Sequence, residues 1–504
     1  ILAFNKRIKP KSFLLVCSLF LYMRNIEEWA RKWLENQRHE GKKCLEIKTQ
    51  GSNYYVYHST NRYDRDIKKG RKVSKYLGKL DKEKGFIPKG QNKRAVASPR
   101  NITEYGNSML LHEMMKDIKP LLKEGFPEHW EEICALAMVG VSGNVPLKRA
   151  EDAWEKLYNA EEIHPSLNQK NLTRMLREVG VNRAGQNIIF KKLADMSNQL
   201  VYDLSSMFSR SMSINQAEKG YNKNKIQVPQ INLALLCSAD TGLPTMIRSL
   251  PGSVKDIKTL YYSINELDIE GKVLMLDRGF FSDGTIKFLG GKKGKKISYV
   301  LPARRNSRYY DTRIHLTEYF SYHSRLIKCG KRKYNDFYLY LFEDQDLRLE
   351  EQKTLYRKLE ERKIDRKKFD DGMKKAGKIL IVSDMDVEKQ EIYLLLKKRE
   401  VVEKMFDTYK TVLNADKLYL QNDESVFGHV FIAFLSLYIH CKLEQHLKNA
   451  KLNHKFTPID LLYKYSKVYH LEIRGRGIIS EVPKKVMDLD EALGLLMFPK
   501  TIRS

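Results

Sequence analysis

Cysteine is scarce and carries no pattern. The six residues (Cys17, Cys44, Cys134, Cys237, Cys329, Cys441) form no Cys-x-x-Cys pair and have no histidine at zinc spacing. A zinc ribbon or disulfide framework is excluded, and a reducing, intracellular setting fits best. Also missing are a Walker loop, a Gly-x-Gly-x-x-Gly after a strand, a His-Glu-x-x-His and a Gly-x-Ser-x-Gly. These absences remove the commonest signatures of nucleotide, dinucleotide, zinc-peptidase and serine-hydrolase chemistry. GGKKGKK (290–296) lacks the terminal Ser/Thr of a phosphate loop and reads as a flexible basic turn.

Long apolar runs are lacking too. The nearest, 427–439, is bounded by Asp423, Glu424, Lys442 and Glu444, which predicts a core helix and no membrane role. Phe13 to Tyr22, behind Lys6, Arg7, Lys9 and Lys11, looks like the start of a targeting segment but is too short to span a bilayer and has no small-residue cleavage site. The expectation is that 1–22 is an upstream extension and that the true start is Met23. No internal repeat is apparent.

What is abundant is positive charge: 91 Lys plus Arg against 62 Asp plus Glu, a formal net charge of +29. Residues 1–100 hold 25 of those cations and only 9 acids. So uneven a distribution implies a polyanionic partner, nucleic acid first, gripped partly by the N-terminal region. With 42% hydrophobic and 10% aromatic residues the chain is no disordered tail, and its length suggests about three domains.

Periodicity divides the chain. Residues 26–39 predict a short basic helix. YYVYHST (54–60) and RKVSKYLGKL (71–80) alternate as strands joined by NRYDRDIKKG, a basic hairpin, and 85–100 reads as a linker or an arm that orders on DNA. Apolar positions at three- and four-residue steps make 101–198 helical. From 199 the pattern becomes a mixed α/β unit of three strands, helix, strand, helix, strand, through 302. Residues 303–375 hold strand-like runs and a charged helix, KILIVSD (378–384) returns to strand, and EKQEIYLLLKKREVVEKMFDTYKTVL (388–413) predicts one helix. The remainder, from 414 to 504, is expected to be helical.

Two acids stand where apolar strands run out: Asp203 after Val201-Tyr202, and Asp277 after Val273-Leu274-Met275-Leu276. A carboxylate there is costly unless hydrogen-bonded, ion-paired or bound to metal. Alone, each is more simply a turn cap or, for Asp277, a partner of Arg278. Together on one sheet, with a third acid from a packed helix, they can share divalent cations. The 388–413 helix offers Glu403 between Val402 and Phe406, with Arg399 and Lys410 on the same face. An intrahelical Arg399–Glu403 ion pair is the plainer alternative, and Glu400 is the minority candidate for the third ligand.

Asp203, Asp277 and Arg399-x3-Glu403-x6-Lys410 with Phe406, in the surroundings VYDLSSMFS, GYNKNKIQVPQINLALLCSADTGLP, SLPGSVKDIKTL and VLMLDRGFFS, resemble the DDE transposases of the insertion-sequence-four superfamily, the bacterial and archaeal Tyr-Arg-Glu-Lys signature group and its insertion-sequence-1634-like branch. The resemblance runs over roughly 54–450. It implies an α/β ribonuclease-H-like catalytic domain (199–302 and 376–450) with a β-rich insertion (303–375), preceded by a basic N-terminal β-hairpin region (23–100) and a helical region (101–198), with a helical segment at 451–504. It further implies cutting at terminal inverted repeats and joining of 3′ ends to target DNA. Asp203, Asp277 and Glu403 would hold two Mg²⁺ ions, with Mn²⁺ as a substitute, and Arg399, Lys410 and Arg278 would contact DNA phosphates. The expected partners are double-stranded DNA and a second copy of the chain, in the cytoplasm at the nucleoid. The signature tyrosine is absent: its position is Leu396, with Tyr393 one turn earlier. That departure keeps open a decayed DNA-binding derivative, and a metal-dependent endonuclease that does not join is the other alternative.

Overall fold

The computed structural model describes residues 26–64, 69–89, 101–142, 145–209, 211–220, 228–254, 256–291, 297–416, 420–473 and 475–498. The expected upstream extension at 1–22, most of the 85–100 linker and the end of the basic turn at 290–296 lie outside them. The chain forms two compact units, 1–98 and 99–504.

The first unit is one helix on one sheet. Helix α1 (Glu28–His39) is followed by β1 (Leu45–Gln50), β2 (Asn53–Asp64), β3 (Lys69–Asp81) and β4 (Gly85–Pro88), an antiparallel sheet in sequence order. Strand alternation sends Ile47, Tyr54, Val56 and Leu80 to one face, where they bury against Ala30 and Leu34 of α1. Trp33 stacks on Phe86 and Trp29 meets Tyr54 edge-on, closing this small core. The expected two-stranded hairpin is thus the middle of four strands. Gly85–Pro88, read from its Pro and Gly as linker, pairs with β3 as an edge strand, where proline is tolerated.

The second unit opens with β5 (Asn101–Glu104) and the helices α2 (Tyr105–Met115), α3 (Lys119–Gly125), α4 (Trp130–Ser142), α5 (Ala150–Trp154), α6 (Gln169–Val181) and α7 (Arg183–Asp195). Then come β6 (Gln199–Phe208), β7 (Gln230–Ser238), β8 (Pro244–Pro251), α8 (Asp256–Glu266), β9 (Val273–Leu276), α9 (Asp283–Leu289) and β10 (Ser298–Pro302). Next are β11 (Glu318–Tyr322), β12 (Arg325–Tyr334), β13 (Phe337–Asp344), α10 (Gln345–Glu360), α11 (Arg366–Lys375), β14 (Lys378–Ser383), α12 (Lys389–Lys397) and α13 (Glu400–Asp407). The chain ends with α14 (Asp423–Asn449), α15 (Pro458–Tyr465), β15 (Tyr469–Ile473), β16 (Arg476–Ile479) and α16 (Lys484–Ala492).

A nine-stranded sheet in the order β11-β12-β13-β14-β10-β9-β6-β7-β8 forms the centre. β6, β9 and β10 run parallel; β7 and β8 are antiparallel on one side and β14 on the other. The strands at 303–345 therefore continue the same sheet through β13 and β14. Every residue of β7 is buried, as a strand covered on both faces requires. α14 is buried along most of its length against α4, α6 and β8, which accounts for its apolar composition.

Two expectations change. Asn101–Glu104, placed in a helical region, is a strand, and the terminal segment expected to be helical carries the β15–β16 hairpin that pairs with it. Both runs are too short for periodicity to separate strand from helix, and their partners lie far apart in sequence.

α6 and α14 cross at Gly180 and Gly428: a Cβ on Gly428 would strike the Leu176 backbone, and one on Gly180 the Glu424 backbone. Gly428→Val should cost about 2 kcal/mol or more, read as a lower Tm of the full chain by far-UV circular dichroism; an unchanged Tm would refute this close crossing.

Candidate active site

The two strand-end acids are neighbours because of one register. β6 and β9 are parallel with Val201 opposite Met275 and Tyr202 opposite Leu276. The next residues on the two strands are Asp203 and Asp277. Behind them Tyr202 is fully buried, meets Phe280 edge-on and shares a 3.3 Å hydrogen bond with Ser263. Asp203 pairs across β7 with Leu235 and accepts a 2.8 Å hydrogen bond from the Leu204 amide. Asp277 ends β9 and accepts from the Gly279 amide at 3.4 Å in the 3₁₀ turn Arg278–Phe280.

The predicted single helix at 388–413 is instead three pieces: α12, α13 and a π turn at Thr408–Val412. Around Lys398 the ladder tightens to i→i−3 bonds: Arg399 N to Leu396 O, Val401 N to Lys398 O and Val402 N to Arg399 O, each 3.1–3.2 Å. The Lys398 ammonium donates to Gln199 Oε1 at 2.6 Å, pinning the break to the start of β6. α13 then packs on β6 and β7 through buried Val402, Met405 and Phe406, leaving Glu403 on its open side.

At that junction Arg399 lies across the acids. Its Nη1 is 2.9 Å from Asp277 Oδ1 and its Nη2 3.5 Å from Glu403 Oε1, while its Nε is buried without a hydrogen-bond partner. The intrahelical ion pair and the link to the sheet acid therefore coexist on one guanidinium. Lys410, in the π turn, donates to Ser205 Oγ at 2.6 Å and to the Ser206 carbonyl at 2.8 Å, two and three residues beyond Asp203. Arg278 is exposed beside Asp277. Glu400 acts electrostatically on the Tyr322 and Tyr393 phenols, the side of the helix junction facing β11.

Sequence reasoning missed Arg304. It follows β10, is exposed, and donates to the carbonyls of Arg278 (3.4 Å) and Gly279 (2.5 Å), adding a cation beside the Asp277 turn. Its only signal was the ARR run closing an apolar strand. Tyr393 proves to be a core residue: its ring packs on Phe320, Tyr322 and Phe342 within 5.1–5.4 Å, and burial pushes its phenol up to about 12. Among the described residues no hydrogen bond joins its hydroxyl to Arg399, and Leu396, at the position of the missing tyrosine, is itself buried.

Three carboxylates are a hard-oxygen donor set of the kind Mg²⁺ prefers. Among the described residues no three such side chains converge closely enough to hold a metal ion. Arg399 bridges two of the three acids, Asp277 and Glu403. A divalent ion bridging Asp277 and Glu403 would compete with that guanidinium, so Arg399→Ala should tighten Mn²⁺ binding to the DNA-free chain about tenfold, measured by loss of the free-Mn²⁺ electron paramagnetic resonance signal. Equal affinity in both proteins would show that Arg399 does not compete.

Residues 199–439, from β6 into α14, match the family described as Transposase DDE domain. No curated protein matches. Among solved structures, a piggyBac transposase synaptic complex with hairpin DNA aligns over 79% of this chain and 86% of that one, at 12% identity and a TM-score of 0.36. The matched span holds Asp203, Asp277 and Glu403, and the match supports a DDE transposase whose domain, on this mixed sheet, suggests a ribonuclease-H-like fold.

Proposed function

We propose that the chain is a DNA transposase of the insertion-sequence-four superfamily that cuts at the terminal inverted repeats of its mobile element and joins the 3′ ends to target DNA. The observation that carries the reading is that three elements bring acids to one end of the sheet: Asp203 and Asp277 follow the paired Tyr202 and Leu276 of parallel strands, and Glu403 shares the Arg399 guanidinium with Asp277.

In this reading Asp203, Asp277 and Glu403 hold the metal. Two bound Mg²⁺ ions, or Mn²⁺ in their place, would activate the attacking oxygen and neutralise the leaving one in displacement at phosphorus. The protein's own part is orientation and charge. β6 and β9 fix two carboxylates on rigid backbone, and α13 presents the third from a face packed on the same sheet. Arg399, displaced from the acids, becomes available to a DNA phosphate, with Lys410 and Arg278 flanking the strand on either side of Asp203 and Asp277. The +29 charge supplies affinity for the backbone of double-stranded DNA, steep in salt and indifferent to sequence. Pairing two element ends calls for a homodimer, working in the cytoplasm at the nucleoid.

The signature tyrosine's replacement by Leu396, with Tyr393 locked in the core, favours one second reading, a derivative that binds DNA and no longer cuts it. Cleavage of labelled duplex carrying the element's own flanking ends separates the two. Mg²⁺-dependent cuts at those ends that Ca²⁺ does not support, and that Asp277→Asn lowers at least 1000-fold with binding retained, are the expected outcome. Binding without cuts under Mg²⁺ or Mn²⁺ would leave the DNA-binding derivative, and cuts without joined product an endonuclease.

A further inference from the structure

The first unit contains more strand than its core uses. The last β2 side chain buried beneath helix α1 is Val56, which is 1% exposed; β1 pairs with β2 as far as His58, and from Thr60 outward β2 and β3 continue as a two-stranded ribbon. Asn61, Arg62, Tyr63, Lys69, Gly70, Arg71, Lys72 and Val73 are all exposed. A ribbon that buries so little contributes almost nothing to stability, and an isolated two-stranded hairpin is marginal in water.

Its charge makes the length more costly. The register sets Arg62 directly opposite Arg71, with His58 opposite Lys75 on the same face. Like charges facing each other across a ladder destabilise it. Among the described residues no ion pair neutralises Arg62, Arg71 or Lys75, whereas Lys72, on the other face, is held by Glu46 at 2.8 Å. That other face is also internally satisfied: Ser59 bonds Ser74 at 2.8 Å, and Tyr57 packs on Tyr76 with Lys48 above its ring. One face of the ribbon is thus largely paired; on the arginine face the register sets Asp64 opposite Lys69, and no ion pair among the described residues reaches Arg62, Arg71 or Lys75.

We propose that the distal β2–β3 ribbon enters the major groove of duplex DNA with its arginine face inward, Arg62 and Arg71 against base edges and Lys69 and Lys75 on phosphates. Residues 59–64 extend roughly 20 Å at ~3.3 Å per residue, enough to cross a groove about 12 Å wide that admits a two-stranded ribbon. The paired guanidiniums suit guanine O6 and N7, the commonest specific contact there. Groove phosphates would remove the repulsion that the free ribbon carries. This assignment rests on the transposase reading and adds to it which element reads the sequence of the element ends.

The test uses the full chain and a pool of duplexes with a randomised 30-base-pair centre, selected at about 0.15 M KCl. Wild type should enrich a guanine-containing motif, and methylation of guanine N7 in that motif should block binding. Arg62→Ala/Arg71→Ala should bind the selected duplex about 100-fold more weakly, losing most of its preference over unselected duplex. Unchanged tryptophan emission, measured in a Trp130→Phe/Trp154→Phe background so that only Trp29 and Trp33 report, would show that the first unit still folds. An equally strong motif selected by the double variant, or interference confined to minor-groove adenine N3, would overturn the inference, as would wild-type binding with no motif at all. If wild type binds no duplex even at low salt, the transposase reading falls with it; if binding survives and only the variant's effect is missing, the ribbon assignment alone fails.

Discussion

The parallel pairing of β6 with β9 is the constraint on which the candidate site depends. Two acids separated by much of the catalytic sequence become neighbours only because Tyr202 stands opposite Leu276. A slip of one residue would turn every side chain of the strand to the other face and bury a carboxylate. The register is secured by what lies behind it: Leu200, Val201, Leu274 and Met275, all fully buried. Apolar burial thus determines where the charge emerges.

Next in consequence is the break at Lys398. A continuous helix would carry Arg399 and Glu403 along a single face with no reason to meet the sheet. The tightened turn, tied to Gln199, swings Arg399 over Asp277 while keeping Glu403 in reach. A guanidinium between two carboxylates keeps like charges from facing each other uncompensated; the arginine is mostly buried, while Glu403 stays exposed to solvent.

Much of this was legible in the sequence, for identifiable reasons. Asp277 announces itself because four apolar residues precede it, and Glu403 because it interrupts an apolar helix face. Other features were not legible. Tyr393 lies on nearly the same helical face as Leu396, yet its ring faces Phe320 and Phe342, on strands joined to the sheet through β13. Arg304 carries only the weak signal of a basic run after an apolar strand; it matters because β10 ends beside the Asp277 turn. The pairing of Asn101–Glu104 with Tyr469–Ile473 joins segments that no window along the chain compares.

The sequence by itself therefore determined the chemistry available: hard oxygen donors at strand ends, a basic excess concentrated early, and alternations that predict strands and helices from their periods of 2 and 3.6. These are local properties, set by each residue and its near neighbours. Tertiary structure alone decided which of those donors share a site, because adjacency is fixed by strand register, by a helix break anchored to a distant glutamine, and by a sheet that the 303–345 strands extend. It also decided which charges are left uncompensated, since Arg62 and Arg71 become opposed only when β2 and β3 pair.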